Sequence, residues 1–468
     1  MKSFKKHEEQ KALIQQFEEM LRKKQVVFFE LELFENIINY YLDQGKAKKA
    51  LTVCTIAIEQ HPYSVEMIRY TAQVHANLGD FARAISILEK AEILQPNDWE
   101  TCLLKGNILC LMTEYEQAID LLEKTLDLVD EPEKDQVYYH LGLAYQGVQN
   151  YDQAIFYYKK SLETNLDNEN ALYELAFCLE VKGELENSVS YYQKFIDKDP
   201  YSHVAWYNLG IIYTRISNYE EAIRAFDYTI VINEEFSSAY YNLANCFIQL
   251  ESYEKALENY KKILELEDPS VDVYAGIATC YQELEKHDLA IKWYRETLKL
   301  NSNYAEAWYG IGISLDVKEK WMEAIHHFNK AIKIDPDQAD YWLSLGDTEY
   351  KAGNVISALE AYEEASLLNR YNPDLWLNWS FVLYEQGDYN KAIGLLSIGM
   401  EEIPEESELY YRLVVYYVAA GRYKEGFSYL ENALSLDFEK HTVLYDFFPN
   451  LEMQKALYKI IEQYRNKN

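Results

Sequence analysis

Apolar residues recur at helical spacing in short, paired stretches along most of the chain. Residues 203–236 show the pattern in its clearest form. The apolar and small positions there are Trp206, Leu209, Gly210 and Tyr213, followed by Tyr219, Ala222, Ile223 and Phe226. The spacing i, i+3, i+4, i+7 predicts two amphipathic helices, with a turn at Ser217 and Asn218. One such pair has more apolar surface than it can cover, so neighbouring pairs must stack.

A small residue in the second helix shows how often the unit repeats. It falls at Ala50, Ala84, Ala118, Ala154, Ser188, Ala222, Ala256, Ala290, Ala324, Ala358, Ala392 and Gly426. Every step is 34 residues except the one from Ala118 to Ala154, which is 36. This register predicts twelve repeats within residues 31–440, with a two-residue insertion near 133–134. Repeat positions are counted from residue 31 in the first repeat and residue 203 in the sixth.

Other repeat positions are equally regular. Position 4 is bulky (Phe34, Tyr138, Trp206, Tyr240, Tyr274, Trp308, Trp342, Trp376, Tyr410), and position 8 is small (Ala72, Gly106, Gly142, Ala176, Gly210, Ala244, Ala278, Gly312, Gly346). An aromatic residue opens many second helices, and proline marks several junctions (Pro62, Pro96, Pro200, Pro336, Pro404). Small residues at positions 8 and 20 let two helices approach closely, and a leucine there would overpack the contact. This combination resembles tetratricopeptide-repeat (TPR) proteins. The resemblance implies an all-α, right-handed superhelical solenoid of antiparallel helix pairs.

The two ends depart from the repeat pattern. Residues 1–30 contain an amphipathic stretch with Leu13, Phe17, Met20 and Leu21 on one face. We expect a capping helix over the first repeat, with a separate docking helix as the alternative. Residues 441–468 are expected to form C-terminal capping helices. The segment 130–135, DEPEKD, is either a solvated loop or a flexible point after the third repeat.

Composition narrows the function classes. The formal net charge is −32, which opposes binding to nucleic acid and to anionic membrane surfaces. The N-terminus lacks the apolar stretch of a signal peptide, and no run is long enough to span a membrane. The six cysteines form no CxxC pair and are interpreted as small core residues in a reducing cytoplasm. We therefore expect a cytoplasmic protein without direct membrane insertion.

The sequence contains no motif that indicates catalysis. It has no glycine-rich phosphate loop, no HExxH motif and no nucleophile elbow. His326 and His327 are adjacent, and neighbouring residues on a helix point in different directions, so they are poor joint ligands. We expect no catalytic residues, no metal site, no cofactor and no enzymatic activity.

The TPR resemblance implies that the first helix of each repeat lines a concave inner face where partners bind. Tyrosine recurs at position 5 (Tyr139, Tyr173, Tyr207, Tyr241, Tyr309, Tyr411), and asparagine occupies position 6 at Asn36, Asn208, Asn242 and Asn378. Position 9 is apolar (Leu143, Phe177, Ile211, Ile313, Phe381, Val415). The tyrosines and the apolar residues either line a groove or seal neighbouring repeats. The predicted partner-binding residues are Tyr173, Phe177, Tyr207, Asn208, Ile211, Tyr241, Asn242 and Asn245.

Charge on this face favours one kind of partner. Position 2 is acidic in most repeats (Glu32, Glu66, Glu100, Asp272, Glu306, Asp340, Asp374, Glu408), and Arg215 and Lys351 are the inward cations expected after the second repeat. The pattern predicts a protein-interaction scaffold whose groove binds a peptide or helical segment with basic and apolar residues. The alternatives are a regulatory or assembly subunit of an enzyme or envelope-biogenesis complex, and a self-associating structural element. Oligomeric state stays open.

Overall fold

The computed structural model describes residues 2–23, 27–131, 133–449, 451 and 454–465, without the side chains of residues 2–12. The regular secondary structure in these ranges is helical throughout. The chain divides into two units, residues 1–234 and 235–468. The prediction of an all-α fold built from tandem helix pairs is therefore confirmed. Pro132 of the 130–135 segment lies outside the described residues, and the rest of that segment falls within the first unit.

The first unit contains one leading helix and six helix pairs. Its helices are α1 (Lys2–Lys23), α2 (Leu31–Asp43), α3 (Ala47–Gln60), α4 (Val65–Asn77), α5 (Phe81–Leu94), α6 (Trp99–Leu111), α7 (Tyr115–Thr125), α8 (Lys134–Gly147), α9 (Tyr151–Thr164), α10 (Glu169–Val181), α11 (Glu186–Lys198), α12 (His203–Arg215) and α13 (Tyr219–Ile232). The first helix of a pair typically fills positions 1–13, and the second begins at position 17.

The second unit contains six more pairs and a shorter C-terminal segment. Its helices are α14 (Ser237–Gln249), α15 (Tyr253–Leu266), α16 (Val271–Glu283), α17 (His287–Leu300), α18 (Ala305–Val317), α19 (Trp321–Ile334), α20 (Ala339–Lys351), α21 (Val355–Leu368), α22 (Pro373–Glu385), α23 (Tyr389–Glu402), α24 (Ser407–Ala419), α25 (Tyr423–Leu436), a 3₁₀ helix (Glu439–Val443), α26 (Leu444–Phe447) and α27 (Lys455–Arg465).

Each pair closes through a left-handed residue at position 15. These residues are Gly45, Gly79, Thr113, Gln149, Gly183, Ser217, Glu251, Glu285, Glu319, Gly353, Gly387 and Gly421, all with positive φ. In the tenth repeat the N–H of Gly353 donates to the carbonyl of Tyr350 at 2.9 Å, and the N–H of Asn354 donates to that of Glu349 at 2.8 Å. These bonds satisfy carbonyls that the end of the helix leaves unpaired. The turn is the same whether or not the residue is glycine.

Small residues and aromatic rings join the two helices of a pair. Position 8 is Gly210 in the sixth repeat, and a Cβ there would lie 2.5 Å from the ring of Phe226 at position 24. Gly346 and Tyr362 make the same contact in the tenth repeat, at 2.8 Å. A larger residue at position 8 would push the second helix away, which explains why nine of the repeats have glycine or alanine there.

The terminal segments pack on the repeats beside them. Ile14, Phe17 and Met20 of α1 are buried in one cluster with Phe34 of α2, and the Phe17 and Phe29 rings lie 5.9 Å apart. At the other end, Leu444, Leu451, Leu457 and Ile461 belong to the buried cluster that includes α24 and α25. Both segments cover apolar surface that a further repeat would otherwise cover.

The left-handed turn predicts how stability responds to substitution at position 15. Gly353→Ala should lower the free energy of unfolding by about 1 kcal/mol, because a Cβ penalises positive φ. Glu285→Gly should raise it by a smaller amount, since glycine removes that penalty but gains unfolded-state entropy. Chemical denaturation of the full chain measures both changes. Glu285→Gln is the control, because it removes the charge and keeps the strain. Equal stability of the Gly and Gln variants would contradict the explanation.

Candidate functional site

The eight predicted partner-binding residues are divided between the two units. Tyr173 and Phe177 lie on α10, Tyr207, Asn208 and Ile211 lie on α12, and Tyr241, Asn242 and Asn245 lie on α14. The first five belong to the first unit and the last three to the second. They form two groups, each with its own surroundings.

The group in the first unit presents aromatic surface to solvent. Tyr173 is 59% exposed and Phe177 is 41% exposed. They are four residues apart on α10, so they share one face of the helix. Tyr207, on the next first helix, is half-buried, and its ring lies 5.8 Å from that of Phe226. The exposed pair on α10 is therefore the more accessible part of this group.

Most tyrosines at position 5 pack on the second helix of their own repeat. The ring distances are 6.1 Å for Tyr139–Tyr158, 5.8 Å for Tyr207–Phe226, 5.9 Å for Tyr241–Tyr260 and 5.7 Å for Tyr309–Phe328. Tyr411 is fully buried and donates its hydroxyl to the carbonyl of Asp437 at 2.7 Å. The tyrosines at position 5 are thus held mainly by packing, and their exposure ranges from 59% at Tyr173 to full burial at Tyr411.

Three of the asparagine side chains at positions 6 and 9 already have partners within the chain. The amide of Asn242 donates to the Ser238 carbonyl at 2.9 Å, and that of Asn378 donates to Asp347 Oδ1 at 3.1 Å. Asn245 Oδ1 accepts from the Tyr260 hydroxyl at 2.6 Å. A peptide backbone at these residues would use the remaining lone pairs or replace existing bonds. An asparagine ladder that binds peptide stays a prediction.

Two of the predicted residues line a recess in the second unit, which we call the tyrosine pocket. Its volume is about 280 Å³. The lining includes Tyr241, Asn245, Tyr260, Asp272, Gly276, Thr279, Tyr294, Tyr304 and Glu306. These side chains come from α14 to α18 and from the loop before α18. The pocket therefore combines phenol rings, hydroxyls and two carboxylates.

Glycine at position 6 admits the two buried tyrosines that line the tyrosine pocket. A Cβ at Gly276 would lie 2.6 Å from the hydroxyl oxygen of Tyr260. Gly310 has the same relation to Tyr294, also at 2.6 Å. The preceding repeats have alanine at position 8, Ala244 and Ala278, and there the aromatic ring of position 24 reaches the next repeat instead. Two consecutive position-6 glycines thus make room for two buried tyrosines.

The electrostatic environment of the tyrosine pocket favours a cation. Burial raises the pKa of the Tyr304 hydroxyl, and the charges of Glu306 and Asp272 raise it further. Burial raises the pKa of Tyr294 to about 12, so both phenols stay neutral at pH 7. Asp272 and Glu306 are exposed and form no ion pair among the described residues. Neutral ring faces beside free carboxylates suit a guanidinium or ammonium group.

The inward cations are neutralised by acids of neighbouring segments. Arg215 pairs with Glu180, and Lys351 Nζ lies 2.6 Å from Asp316 Oδ2. The expectation that these were the inward cations after the second repeat was incomplete, because Arg412 occupies position 6 of the twelfth repeat. Its guanidinium lies 4.6 Å from the Phe447 ring centroid and 5.9 Å from that of Phe381.

Some apolar residues at position 9 are covered by the chain, and others are exposed. Phe381 contacts the Phe447 ring at 6.3 Å, and Val415 is buried. Both are therefore covered by the chain itself. Phe177, in contrast, stays exposed. Near the C-terminus, the apolar residues at position 9 pack against other parts of the chain. On α10, the apolar residue at position 9 remains accessible.

A carboxyl pair links the first two repeats. A hydrogen bond to Glu66, together with burial and the charges of Glu66 and Glu32, raises the pKa of Glu35 to about 7. Arg69 lies nearby, with its guanidinium 2.8 Å from Asp98 Oδ2 and also paired with Glu100. One proton shared by the pair removes a repulsion that the single arginine does not offset.

Neither a metal-binding cluster nor a membrane-crossing helix is found in the part of the chain that the structure describes. Groups of three or more His, Cys, Asp and Glu side chains in ligand geometry are absent from those residues. None of their helices combines the length and the apolar character that crossing a bilayer requires. The six cysteines are thiols, and burial raises the pKa of Cys110 to about 11.

The contact between Gly276 and Tyr260 predicts that a larger residue at position 276 lowers stability, whereas a substitution at a glycine without such a contact does not. Gly276→Asn restores the residue found at position 6 in the preceding two repeats. It should cost about 1–3 kcal/mol of stability, because the new side chain displaces Tyr260. Gly394→Ala is the matched control: nothing lies within 4 Å of its Cβ, and it should stabilise α23 by up to about 1 kcal/mol. Chemical denaturation compares the two variants. A Gly276→Asn variant as stable as wild type would refute this packing.

The Glu35–Glu66 pair predicts a pH dependence of stability. Because the folded-state pKa of Glu35 is raised to about 7, its stabilising contribution is present below about pH 4.5 and is lost as pH rises through about 7. Glu35→Gln should therefore gain stability relative to wild type between about pH 5 and pH 8. Denaturation midpoints across this range measure the difference. Glu32→Gln serves as the control, because Glu32 acts only through space. Parallel pH profiles for wild type and Glu35→Gln would contradict the assignment.

Comparison with protein families identifies the repeat. Tetratricopeptide-repeat models match residues 100–166, 139–203, 191–224, 235–303, 305–338 and 407–440. A model described as anaphase-promoting complex, cyclosome, subunit 3 matches residues 43–125. The search of curated proteins found no match to the chain. The repeat family is thus recognised along most of the chain.

The chain also resembles solved structures at low similarity. The chain is 16% identical to a tetratricopeptide-repeat protein from Parabacteroides merdae ATCC 43184, covering 57% of this chain and 99% of the other, with a TM-score of 0.43. The Cut9–Hcn1 hetero-tetramer of the APC/C matches at 16% identity, 85% and 96% coverage and a TM-score of 0.39. YrrB, a TPR protein with an unusual peptide-binding site, matches at 23% identity, 39% and 95% coverage and a TM-score of 0.34.

The fixed 34-residue register, the recurring left-handed turn and the glycine–aromatic contacts agree with the family matches, and the chain belongs to the tetratricopeptide-repeat family.

Proposed function

We propose that the chain is a non-enzymatic interaction scaffold that binds a peptide or helical segment carrying a basic side chain beside apolar residues. The tyrosine pocket carries this proposal. Its carboxylates, Asp272 and Glu306, stand at the mouth of a recess walled by phenol rings. Binding to other proteins is typical of this repeat family, and the pocket adds a chemical preference to that general role.

The proposed contact combines charge with ring packing. An arginine or lysine side chain entering the tyrosine pocket would lie between Asp272 and Glu306 and against the rings of Tyr241 and Tyr304. Cation–π attraction contributes about 0.5–2 kcal/mol depending on burial, and charge-assisted hydrogen bonds add direction. Asn245, which accepts from Tyr260, holds the floor of the recess in place. The tyrosine pocket thus serves best as an anchor for one basic residue.

The exposed aromatic pair of the first unit is proposed as a separate apolar contact. Tyr173 and Phe177 present an aromatic face on α10, and exposed apolar surface of this kind is common where proteins associate.

We further propose that residues 1–30 and 441–468 act as caps around the repeats of 31–440. The buried contacts of Phe17 and Leu457 support these boundaries.

A role as a subunit of a larger assembly is the second candidate. It is favoured by the match of residues 43–125 to a subunit of the anaphase-promoting complex. In that case the chain, expressed at its natural level, would be found in a stable particle much larger than its own 55.1 kDa. A peptide-binding scaffold would instead be recovered mainly as the free chain.

Peptide arrays probed with the purified full chain test the main proposal. Bound sequences should be enriched in Arg or Lys flanked by apolar residues, and Asp272→Asn/Glu306→Gln should weaken binding about tenfold. Asp340→Asn is the control, because Asp340 is also the second residue of its helix but does not line the tyrosine pocket. Enrichment of acidic peptides, or unchanged binding by the double variant, would refute the proposal.

A further inference from the structure

A second recess lies in the first unit, between the second helices of the first two repeats. Its walls are the stripe Leu51, Thr55 and Ile58 on α3 and the stripe Arg83, Ile87, Lys90 and Leu94 on α5. Ile68, Thr71 and His75 of α4 form its floor. We call this recess the outer groove. Its volume is about 750 Å³, within the range of ligand sites in proteins.

The outer groove lies where the second repeat, like the third and fifth, has no aromatic ring at position 4. In the sixth repeat, position 4 is Trp206, which stacks on Tyr228 at 4.4 Å and donates its indole N–H to the Pro200 carbonyl at 3.0 Å. Trp308 makes the same kind of hydrogen bond, to the Ser302 carbonyl at 2.9 Å. The corresponding residues of the second repeat are Ile68 at position 4 and Lys90 where Tyr228 stands. Neither replaces the stacked ring pair, so the space stays open.

The charge of the outer groove is opposite to that of the protein as a whole. Arg83 and Lys90 are exposed on one face of α5, and neither forms an ion pair among the described residues. Glu59 is the acidic residue in the groove lining. Glu92, farther along α5, is already paired with Lys105 at 2.9 Å. In a chain of net charge −32, two uncompensated cations beside apolar walls indicate an acidic, amphipathic occupant.

The length of the outer groove favours a polypeptide segment over a small molecule. The α5 stripe from Arg83 to Leu94 extends roughly 16 Å at 1.5 Å per residue. The lining also includes Pro62 and Tyr63, and Tyr63 is 82% exposed. Three turns of an amphipathic helix match this span, with anchors at i, i+3, i+4 and i+7.

We propose that the outer groove binds an acidic amphipathic helix of a partner protein. One large apolar side chain of that helix enters the space over Ile68, Ile87 and Leu51, where other repeats hold their own tryptophan. Its carboxylates face Arg83 and Lys90. This surface is independent of the tyrosine pocket, which selects the opposite charge.

Two synthetic probes test this assignment with the full chain. The acidic probe is a fluorescent, helix-forming peptide of about 18 residues, with Leu and Phe at i, i+3, i+4 and i+7 and Glu on the flanks. The basic probe has Lys in place of every Glu. Fluorescence anisotropy should show binding of the acidic probe that weakens with added salt.

Variants locate the binding. Ile68→Trp supplies the missing filler and should reduce affinity for the acidic probe about tenfold or more, with no loss of melting temperature. Arg83→Glu/Lys90→Glu alters only exposed residues and should reduce it equally, while raising affinity for the basic probe. Lys330→Glu is the matched control: Lys330 has the repeat position of Lys90, but Trp308 stands at position 4 of its repeat. This control and Asp272→Asn/Glu306→Gln should bind the acidic probe as wild type does.

Three results would overturn the proposal. The first is no preference for the acidic probe over the basic one. The second is a wild-type affinity in both Ile68→Trp and the charge-reversed double variant. The third is self-association of the wild-type chain, measured by sedimentation, that Ile68→Trp abolishes, because the outer groove would then belong to a second copy of this chain.

Discussion

The close approach of two helices through a glycine or alanine is the contact on which the repeat depends. Because position 8 carries little or no side chain, an aromatic ring at position 24 can fill the space between the helices, as Phe226 does over Gly210. In the seventh and eighth repeats position 8 is alanine, and the ring instead reaches glycine at position 6 of the next repeat, as Tyr260 does at Gly276. The location of these glycines therefore decides which repeat receives the aromatic ring.

The sequence was sufficient to predict the helix pairs and their register. Both follow from apolar spacing and from steric limits at single positions, such as the small residue at position 20. The tyrosine pocket could not be predicted in this way, because it needs Gly276 of one repeat and Tyr260 of the preceding one. Asp272 and Glu306 were noted as acidic residues of position 2, but their grouping with buried tyrosines depends on the packing of three repeats. The available signal was the pair of consecutive glycines at position 6.

The contacts between inward residues and the C-terminal segment could not be predicted from the sequence either. Arg412 and Phe381 occupy inward positions of the last repeats, yet both contact Phe447 of the C-terminal segment. A repeat pattern cannot indicate which inward residues such a segment covers. The outer groove had a partial signal, since Ile68, like Cys102 and Leu172, interrupts the aromatic residues of position 4. Its meaning became evident only beside Trp206, whose ring pair shows what the second repeat lacks.

The two recesses differ in charge because different residues line them. Tyrosines beside carboxylates line the tyrosine pocket, whereas apolar side chains beside two basic residues line the outer groove. The central claim is that the tyrosine pocket receives a basic side chain, and hydrogen–deuterium exchange of the full chain with an arginine-containing peptide tests it most directly. The account predicts slower exchange in α14, α16 and the start of α18 when the peptide is bound. Protection confined to other helices, with these three unchanged, would contradict it.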